Sequence, residues 1–322
     1  MSKLKVGFYW AASCGGCDIA ILDLNEKILD ILEVADIVFW PVAMDIKYKD
    51  VEDMLDGYMD VCFFNGSIRN TEQAEIANLL RKKAKTLVAF GSCACAGGIP
   101  GLANLYDRKQ IFDYIFDESP STVNDNHIQP RVKIDFGNFE MKLPKFSEAV
   151  APLDQIVEVD YYIPGCPPPV ELIGNAIEIL ISGILPEKGS VLAPVKSVCD
   201  ECSRKREKKK IDKIKRVINF QPSTEKCLLD QGVICMGPAT RGGCDARCIK
   251  ANQPCSGCGG ACPEVVEQGA SMISALSTVL GLDLEKNEEF DEEGLAEQIP
   301  DPVGTFYKYC LAASIINRRV SE

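Results

Sequence analysis

Sixteen cysteines beside a single histidine, His127, constrain this 322-residue chain more than any other feature. One imidazole excludes any site that needs several, and the soft thiolates that remain select iron–sulfur clusters, zinc or cuprous copper. Disulfides are the other use of so many cysteines, and they belong to oxidising compartments. From Met1 to Trp10 the chain shows neither a basic region leading into an apolar stretch with a cleavage site nor a twin-arginine pair. No run of about 20 apolar residues follows, so no membrane span is expected. These readings place the chain in the cytoplasm, where thiols stay reduced and bind metal. A net charge of −12 argues against nucleic acid as a partner.

Lys5 to Trp10 reads as a buried first strand, followed at once by the loop Ala11-Ala-Ser-Cys-Gly-Gly-Cys17. Ile19, Leu22, Leu24, Ile28, Ile31 and Leu32 then recur at roughly helical spacing. Further strands are expected at 35–40, 61–65, 86–90 and 156–162, with helices at 72–83 and 170–183. This alternation predicts an α/β domain with a flavodoxin-like parallel sheet covered on both faces, spanning residues 1–190. Ligand sites in such sheets lie at the carboxyl ends of the strands. Cys14, Cys17, Cys93 and Cys166 all follow strands there. Residues 116–150 interrupt the pattern as an insertion.

From residue 191 to 322 the composition changes. Nine cysteines lie between Cys199 and Cys262 among many glycines and little periodicity, which predicts a small, irregular, cysteine-rich iron–sulfur domain. Such a segment is expected to bury little apolar surface unaided and to need metal centres to hold it. Helix-like runs return at 265–280 and 306–316, around the acidic run Glu288–Glu293.

The pair Cys14-x-x-Cys17 lets two thiolates reach one centre from a tight loop, and Gly15 and Gly16 leave room for backbone amides near sulfur. Cys199, Cys202, Cys227, Cys235, Cys244, Cys248, Cys255 and Cys258 supply two further sets of four. Zinc is the alternative, since Cys₄ is also a structural zinc set. Zinc ribbons, however, place two CxxC pairs about 15–20 residues apart, and the two pairs here are far more distant. Cys62 and Cys310 read as small buried hydrophobes. Cys95 and Cys262 stand close to the chosen ligands and are possible substitutes for them.

With these residues in view, the chain resembles the small subunit of a [NiFe] hydrogenase. The resemblance rests on Cys14-Gly-Gly-Cys17, Gly91-Ser-Cys93-Ala-Cys-Ala-Gly-Gly98 and Pro164-Gly-Cys166-Pro-Pro-Pro169, and on the later cysteines. It implies a proximal [4Fe–4S] cluster on Cys14, Cys17, Cys93 and Cys166, favouring Cys93 over Cys95. It implies a distal [4Fe–4S] cluster on Cys199, Cys202, Cys227 and Cys235, with Cys199 replacing the usual histidine. The medial site falls on Cys244, Cys248, Cys255 and Cys258. The fourth cysteine, Cys248, implies a [4Fe–4S] cluster where many periplasmic relatives hold [3Fe–4S].

The missing signal, the all-cysteine ligation and the tail Ile299-Pro-Asp-Pro-Val-Gly-Thr-Phe306 resemble the methanogen-type branch. Within it, the likeness is to the gamma subunit of F420-non-reducing (methyl-viologen-reducing) hydrogenases, with the coenzyme-F420-reducing hydrogenases as a sister group. The resemblance implies three [4Fe–4S] clusters and a partner large subunit that holds the nickel–iron site, so that no catalytic residue lies in this chain. The implied electron acceptor is a delta-type iron–sulfur subunit with heterodisulfide reductase, or an F420-binding flavoprotein subunit. A complex-I-like iron–sulfur carrier without hydrogenase activity is the alternative. Arg204-Lys-Arg-Glu-Lys-Lys-Lys210 is expected to be a solvated helix face, His127 an exposed loop residue and Asp18 a helix-start acid. No glycine-rich phosphate loop occurs, so neither flavin nor nucleotide is expected.

Overall fold

A computed structural model describes residues 3–207, 211, 213–280 and 297–319. The acidic run 288–293 and Lys208 to Lys210 lie outside these residues. Six strands form one sheet: β1 (Leu4–Trp10), β2 (Ala35–Phe39), β3 (Met59–Asn65), β5 (Ala84–Phe90), β9 (Tyr161–Ile163) and β10 (Ser190–Val191). Their order is β10-β9-β5-β3-β1-β2, and every neighbouring pair is parallel. Read from the other edge, the first five strands in chain order run 2-1-3-4-5, the flavodoxin-like arrangement, with its reversal between β1 and β3.

The period of two along each strand divides the core. Phe8 faces one side, where its ring lies 5.1 Å from Phe63 and 4.8 Å from Trp40 under α1 (Gly16–Leu22) and α7 (Val170–Ser182). Tyr9 faces the other, 5.0 Å from Phe64, under α3 (Tyr48–Glu52) and α4 (Thr71–Lys83). Burial on both faces is why these strands read as apolar runs.

Three expected elements change. The apolar run after Cys17 breaks into α1 and α2 (Lys27–Val34), because Asn25 takes a left-handed φ of 52°. The strand expected over 156–162 shrinks to Tyr161–Ile163. Asp160, 1 % exposed, is held there by Arg81 and Lys188, each at 2.6 Å, and by the Leu87 N–H. The run 306–316 is no helix. Asp301 caps the short helix Pro302–Phe306, and a 3-10 turn follows at Leu311–Ala313.

The cysteine-rich half also buries more apolar surface than its composition promised. Val198, Leu228, Leu229, Val233, Met236 and, from the single turn α8 (Arg247–Lys250), Ile249 pack with Met272 and Leu276 of α9 (Gln268–Leu280) and with Phe306 and Leu311. The tail supplies what the loops lack. It then returns to the first half, where Gly98 N–H donates to Tyr309 O at 3.1 Å and Asn104 Nδ2 donates to Asn317 O.

After β5 comes the short α5 (Ser92–Ala96). The insertion region then carries α6 (Arg108–Asp113), the exposed hairpin β6 (Lys133–Asp135) and β7 (Glu140–Lys142), and β8 (Phe146–Ala151). β8 pairs antiparallel with β4 (Ile68–Asn70). Among the described residues no helix is long and apolar enough to cross a membrane.

Asp160→Ala removes the buried carboxylate shared by Arg81, Lys188 and the Leu87 N–H, and should cost about 3 kcal/mol. A fall in the midpoint of thermal unfolding at neutral pH, followed by circular dichroism, checks it.

Candidate metal-cluster sites

Three loops at the carboxyl edge of the sheet bring the first four thiols together. Cys14 and Cys17 enter after β1, Cys93 on α5 after β5, and Cys166 after β9. Burial pushes the Cys93 thiol up to about 12, helped by Cys166 and Cys14 and opposed by the Ile99 N–H. Burial likewise raises Cys17, with Cys93 and Cys166 adding to it, and Cys166 with Cys14 adding to it. The thiolates of Cys17, Cys93 and Cys166 are thus disfavoured by burial and by their neighbours, and a shared cation would favour them.

Glycines make the room. A Cβ at Gly91, whose φ is +83°, would sit 2.3 Å from Cys17 Sγ, and one at Gly98 would sit 2.5 Å from Cys93 Sγ. At Gly15 the need is different. Its φ is +80° and a Cβ would meet the Trp10 ring at 3.1 Å, so this glycine serves the turn.

A second set lies farther along. Cys199 is pushed up to about 12 by burial, with Cys235, Cys227 and Cys202 adding to it, while Arg206 pulls the other way. A Cβ on Gly237 would lie 3.2 Å from Cys199 Sγ and 3.6 Å from Cys235 Sγ. The third set lines a cavity of about 260 Å³ whose walls include Cys244, Cys248, Cys255 and Cys258. Burial pushes Cys258 up to about 11, and Cys244, Cys166 and Cys248 add to it.

Backbone amides tie the sets together. Cys166 of the first set lines the cavity of the third, and its backbone N–H favours the Cys258 thiolate. Cys255 N–H donates to Cys235 Sγ at 3.3 Å, joining the third to the second. Ser92 Oγ donates to Cys258 O at 2.6 Å.

Among the described residues no three His, Cys, Asp or Glu side chains converge on a single ion. A four-iron cluster places one thiolate on each of four irons, and so asks for a wider spread than one ion does. The crowded thiols, with Cys17, Cys93, Cys235 and Cys255 buried, the glycine clearances and the amide aimed at Cys235 Sγ fit clusters of that kind.

The remaining cysteines point elsewhere. Cys95 Sγ donates to Ala89 O at 3.3 Å, Cys262 Sγ to Pro238 O at 3.3 Å, and Cys62 is fully buried in the core. Asp18 does lie in the first turn of α1, but its carboxylate is buried and accepts from Trp40 Nε1 at 2.9 Å and Asn65 Nδ2 at 2.6 Å. His127 is exposed beside Asp117. The run from Arg204 is not helical where described. Arg204 donates to the carbonyls of Ser223 and Ile249 and to Asn252 Oδ1, fastening the second set to the third.

Gln268 escaped the sequence reading. Its buried amide donates to Thr240 Oγ1, Gly257 O and Gly260 O at 3.0–3.1 Å, holding the loop that carries Cys255 and Cys258. No spacing marks it, since it opens an ordinary helix.

Several known proteins are similar to this chain. The family model for the NADH ubiquinone oxidoreductase 20 kDa subunit matches residues 14–180. The iron–sulfur subunit of an F420-non-reducing hydrogenase from Archaeoglobus profundus is 40% identical, over 98% of this chain and 99% of its own length. A subunit of the F420-non-reducing hydrogenase of Methanothermobacter marburgensis is 36% identical, over 99% of this chain and 98% of its own. Among solved structures, a chain of the [NiFeSe] hydrogenase of Dm. baculatum shares the fold. Its TM-score is 0.50 at 18% identity, covering 81% of this chain and 95% of that one.

Gly91→Ala drives a methyl into Cys17 Sγ. Purified anaerobically, the variant should lose iron and visible absorbance relative to the parent while keeping its far-ultraviolet dichroism.

Proposed function

This chain belongs to the family of F420-non-reducing hydrogenase iron–sulfur subunits, and from that premise we propose that it carries electrons through three [4Fe–4S] clusters. As a member it is an electron-transfer subunit of a hydrogenase, part of an oxidoreductase whose hydrogen chemistry belongs to a partner. On this reading residues 1–190 hold the proximal cluster on Cys14, Cys17, Cys93 and Cys166. Residues 191–322 hold the distal cluster on Cys199, Cys202, Cys227 and Cys235, and the medial on Cys244, Cys248, Cys255 and Cys258. Bound there, the clusters supply one-electron storage at three points in series between the nickel–iron large subunit and an acceptor such as heterodisulfide reductase.

The observation that carries the reading is the order in which the three sets neighbour one another. Cys166 of the first set lines the same cavity as Cys244, Cys248, Cys255 and Cys258 of the third, and the third is bonded to the second by Cys255 N–H on Cys235 Sγ at 3.3 Å. No such contact joins the first set to the second among the described residues. A linear relay, with the third set in the middle, is the arrangement this supports.

The chain's own work is electrostatic. An amide bonded to sulfur stabilises the added charge of the reduced state, and burial opposes it. Cys235 receives such an amide from Cys255 at 3.3 Å, and the Gly237 amide also favours its thiolate. In the first set the Ile99 amide favours the Cys93 thiolate, while Cys17 lies buried beside the Asp18 carboxylate. Beside Cys14, the exposed Trp10, Ile19 and Leu22 form an apolar face suited to cover by the large subunit.

The test is metal analysis of the anaerobically purified assembly, co-expressed with its large subunit. About twelve irons and twelve sulfides on this chain's share are expected. About eight would remove one site from the relay, and zinc in place of iron would overturn the reading. Cys248→Ser should convert or empty the medial site alone, seen as a changed electron-paramagnetic signal with the other two retained.

A further inference from the structure

Charge is unevenly distributed along the chain. Asp and Glu outnumber Lys and Arg by 47 to 35 overall, yet residues 194–262 hold fourteen Lys and Arg against seven Asp and Glu. A cluster on four thiolates is itself an anion, so part of this excess neutralises the sites. Arg206 does so at Cys199. Lys196, Lys226, Arg247 and Lys250 are spent on local carboxylates at Glu201, Glu207, Glu171 and Asp245.

Lys215 and Arg216 meet Lys308 of the tail at one groove. It measures about 380 Å³ and is rimmed by Lys215, Arg216 and Lys308. Asp301 is the one acid among its described lining residues, and its carboxylate is committed to capping Gly304 N–H at 2.8 Å. Lys213, Lys215 and Arg216 are exposed, with no carboxylate in ion-pair reach among the described residues. Their segment is fixed rather than loose, since Lys215 N–H donates to Gly232 O at 2.8 Å. Ile218 stands 81% exposed just beyond them. The groove wall includes Ile234 and Pro254, the residues immediately before Cys235 and Cys255.

We propose that this groove and its cationic rim are the docking face for an acidic electron-accepting protein. The inference rests on the relay reading and extends it. An occupant of the groove lies against the backbone of a distal and a medial ligand, so docking and a short exit path coincide. Lys215 Nζ lies over the Phe220 ring at 5.3 Å but meets no carboxylate among the described residues, and a cationic rim around apolar side chains is the anatomy of a charge-steered interface.

The test uses the complete loaded assembly with its large subunit, reduced by hydrogen. The acceptors are an acidic [2Fe–2S] ferredoxin and, separately, the cationic dye benzyl viologen. The ferredoxin rate of the parent should fall about tenfold or more as salt rises from low to physiological strength. Lys213→Glu/Lys215→Glu/Arg216→Glu should reduce ferredoxin at least about tenfold more slowly at low salt, with its salt dependence flattened. The dye, which such a groove repels, should be reduced as fast or faster. If the triple variant loses iron, the neutral pair Lys215→Gln/Arg216→Gln takes its place, with a smaller loss in the same direction.

A parent rate indifferent to salt, or a variant equal to the parent on ferredoxin, overturns the docking face while dye reduction keeps the relay standing. A parent rate that rises with salt means that the chain's own acidic residues fill the groove, and also overturns it. So does a parent assembly that loses a second copy on charge reversal. Failure of the fully loaded parent to reduce even the dye overturns the relay reading itself.

Discussion

Crowded, buried sulfur is the constraint on which the rest of the structure depends. A thiol prefers to stay protonated when water is removed and another thiolate is near, and Cys93, Cys199 and Cys258 all show the effect of both. Left protonated, such thiols are small hydrophobes; a bound cluster would hold them ionised instead, and on the proposed reading metal loading and the folding of these loops are then coupled. The glycines at 91, 98 and 237 are the clearances that permit the crowding, and a Cβ at any of them meets a sulfur at 3.2 Å or less.

The two halves meet that constraint differently. In the first, a parallel sheet supplies rigid strand ends, so single cysteines from distant segments arrive at one edge without needing each other. In the second, no sheet aims the thiols among the described residues, and side chains that fasten loop to loop take its place. Arg204 bridges 223, 249 and 252, Gln268 bridges 240, 257 and 260, and Glu201 accepts from Gly243 N–H at 2.7 Å. An arginine or a glutamine used this way satisfies backbone groups that a helix or strand would otherwise pair.

That difference decides how much the sequence discloses. The strands β1, β3 and β5 are legible because burial on both faces leaves an unbroken apolar run, and the cysteines after them are legible because ligand sites follow strand ends. The same logic overextends the strand at 156–162. Ile156, Val157 and Val159 pack into the core from a turn, and what stops the strand is Asp160, whose partners Arg81 and Lys188 are remote or ambiguous in sequence. Asn25 breaks a helix that periodicity would continue, through a backbone angle and not through hydropathy. Gly91 and Gly98 are visible in the motif around Cys93, but the sulfurs they clear belong to contacts that only the fold creates. Gln268 and the tail's share of the second core are silent for the same reason: their partners lie across the fold, and residue type alone does not announce them.

The amides at Cys166 and Cys255 bind these observations into one argument. Cys255 N–H bonds the sulfur of the neighbouring set, and the Cys166 N–H favours the Cys258 thiolate, so position and electrostatics are shared between neighbouring sites. Moving Cys255 changes both the geometry of its own set and the charge felt at Cys235. Substitutions at the two are then coupled rather than additive, as expected for groups in one hydrogen-bonded network. At these two residues the chain cannot tune one site in isolation. It gains a fixed spacing between neighbouring sulfur sets, and for carrying electrons that spacing is the property the protein must hold most constant.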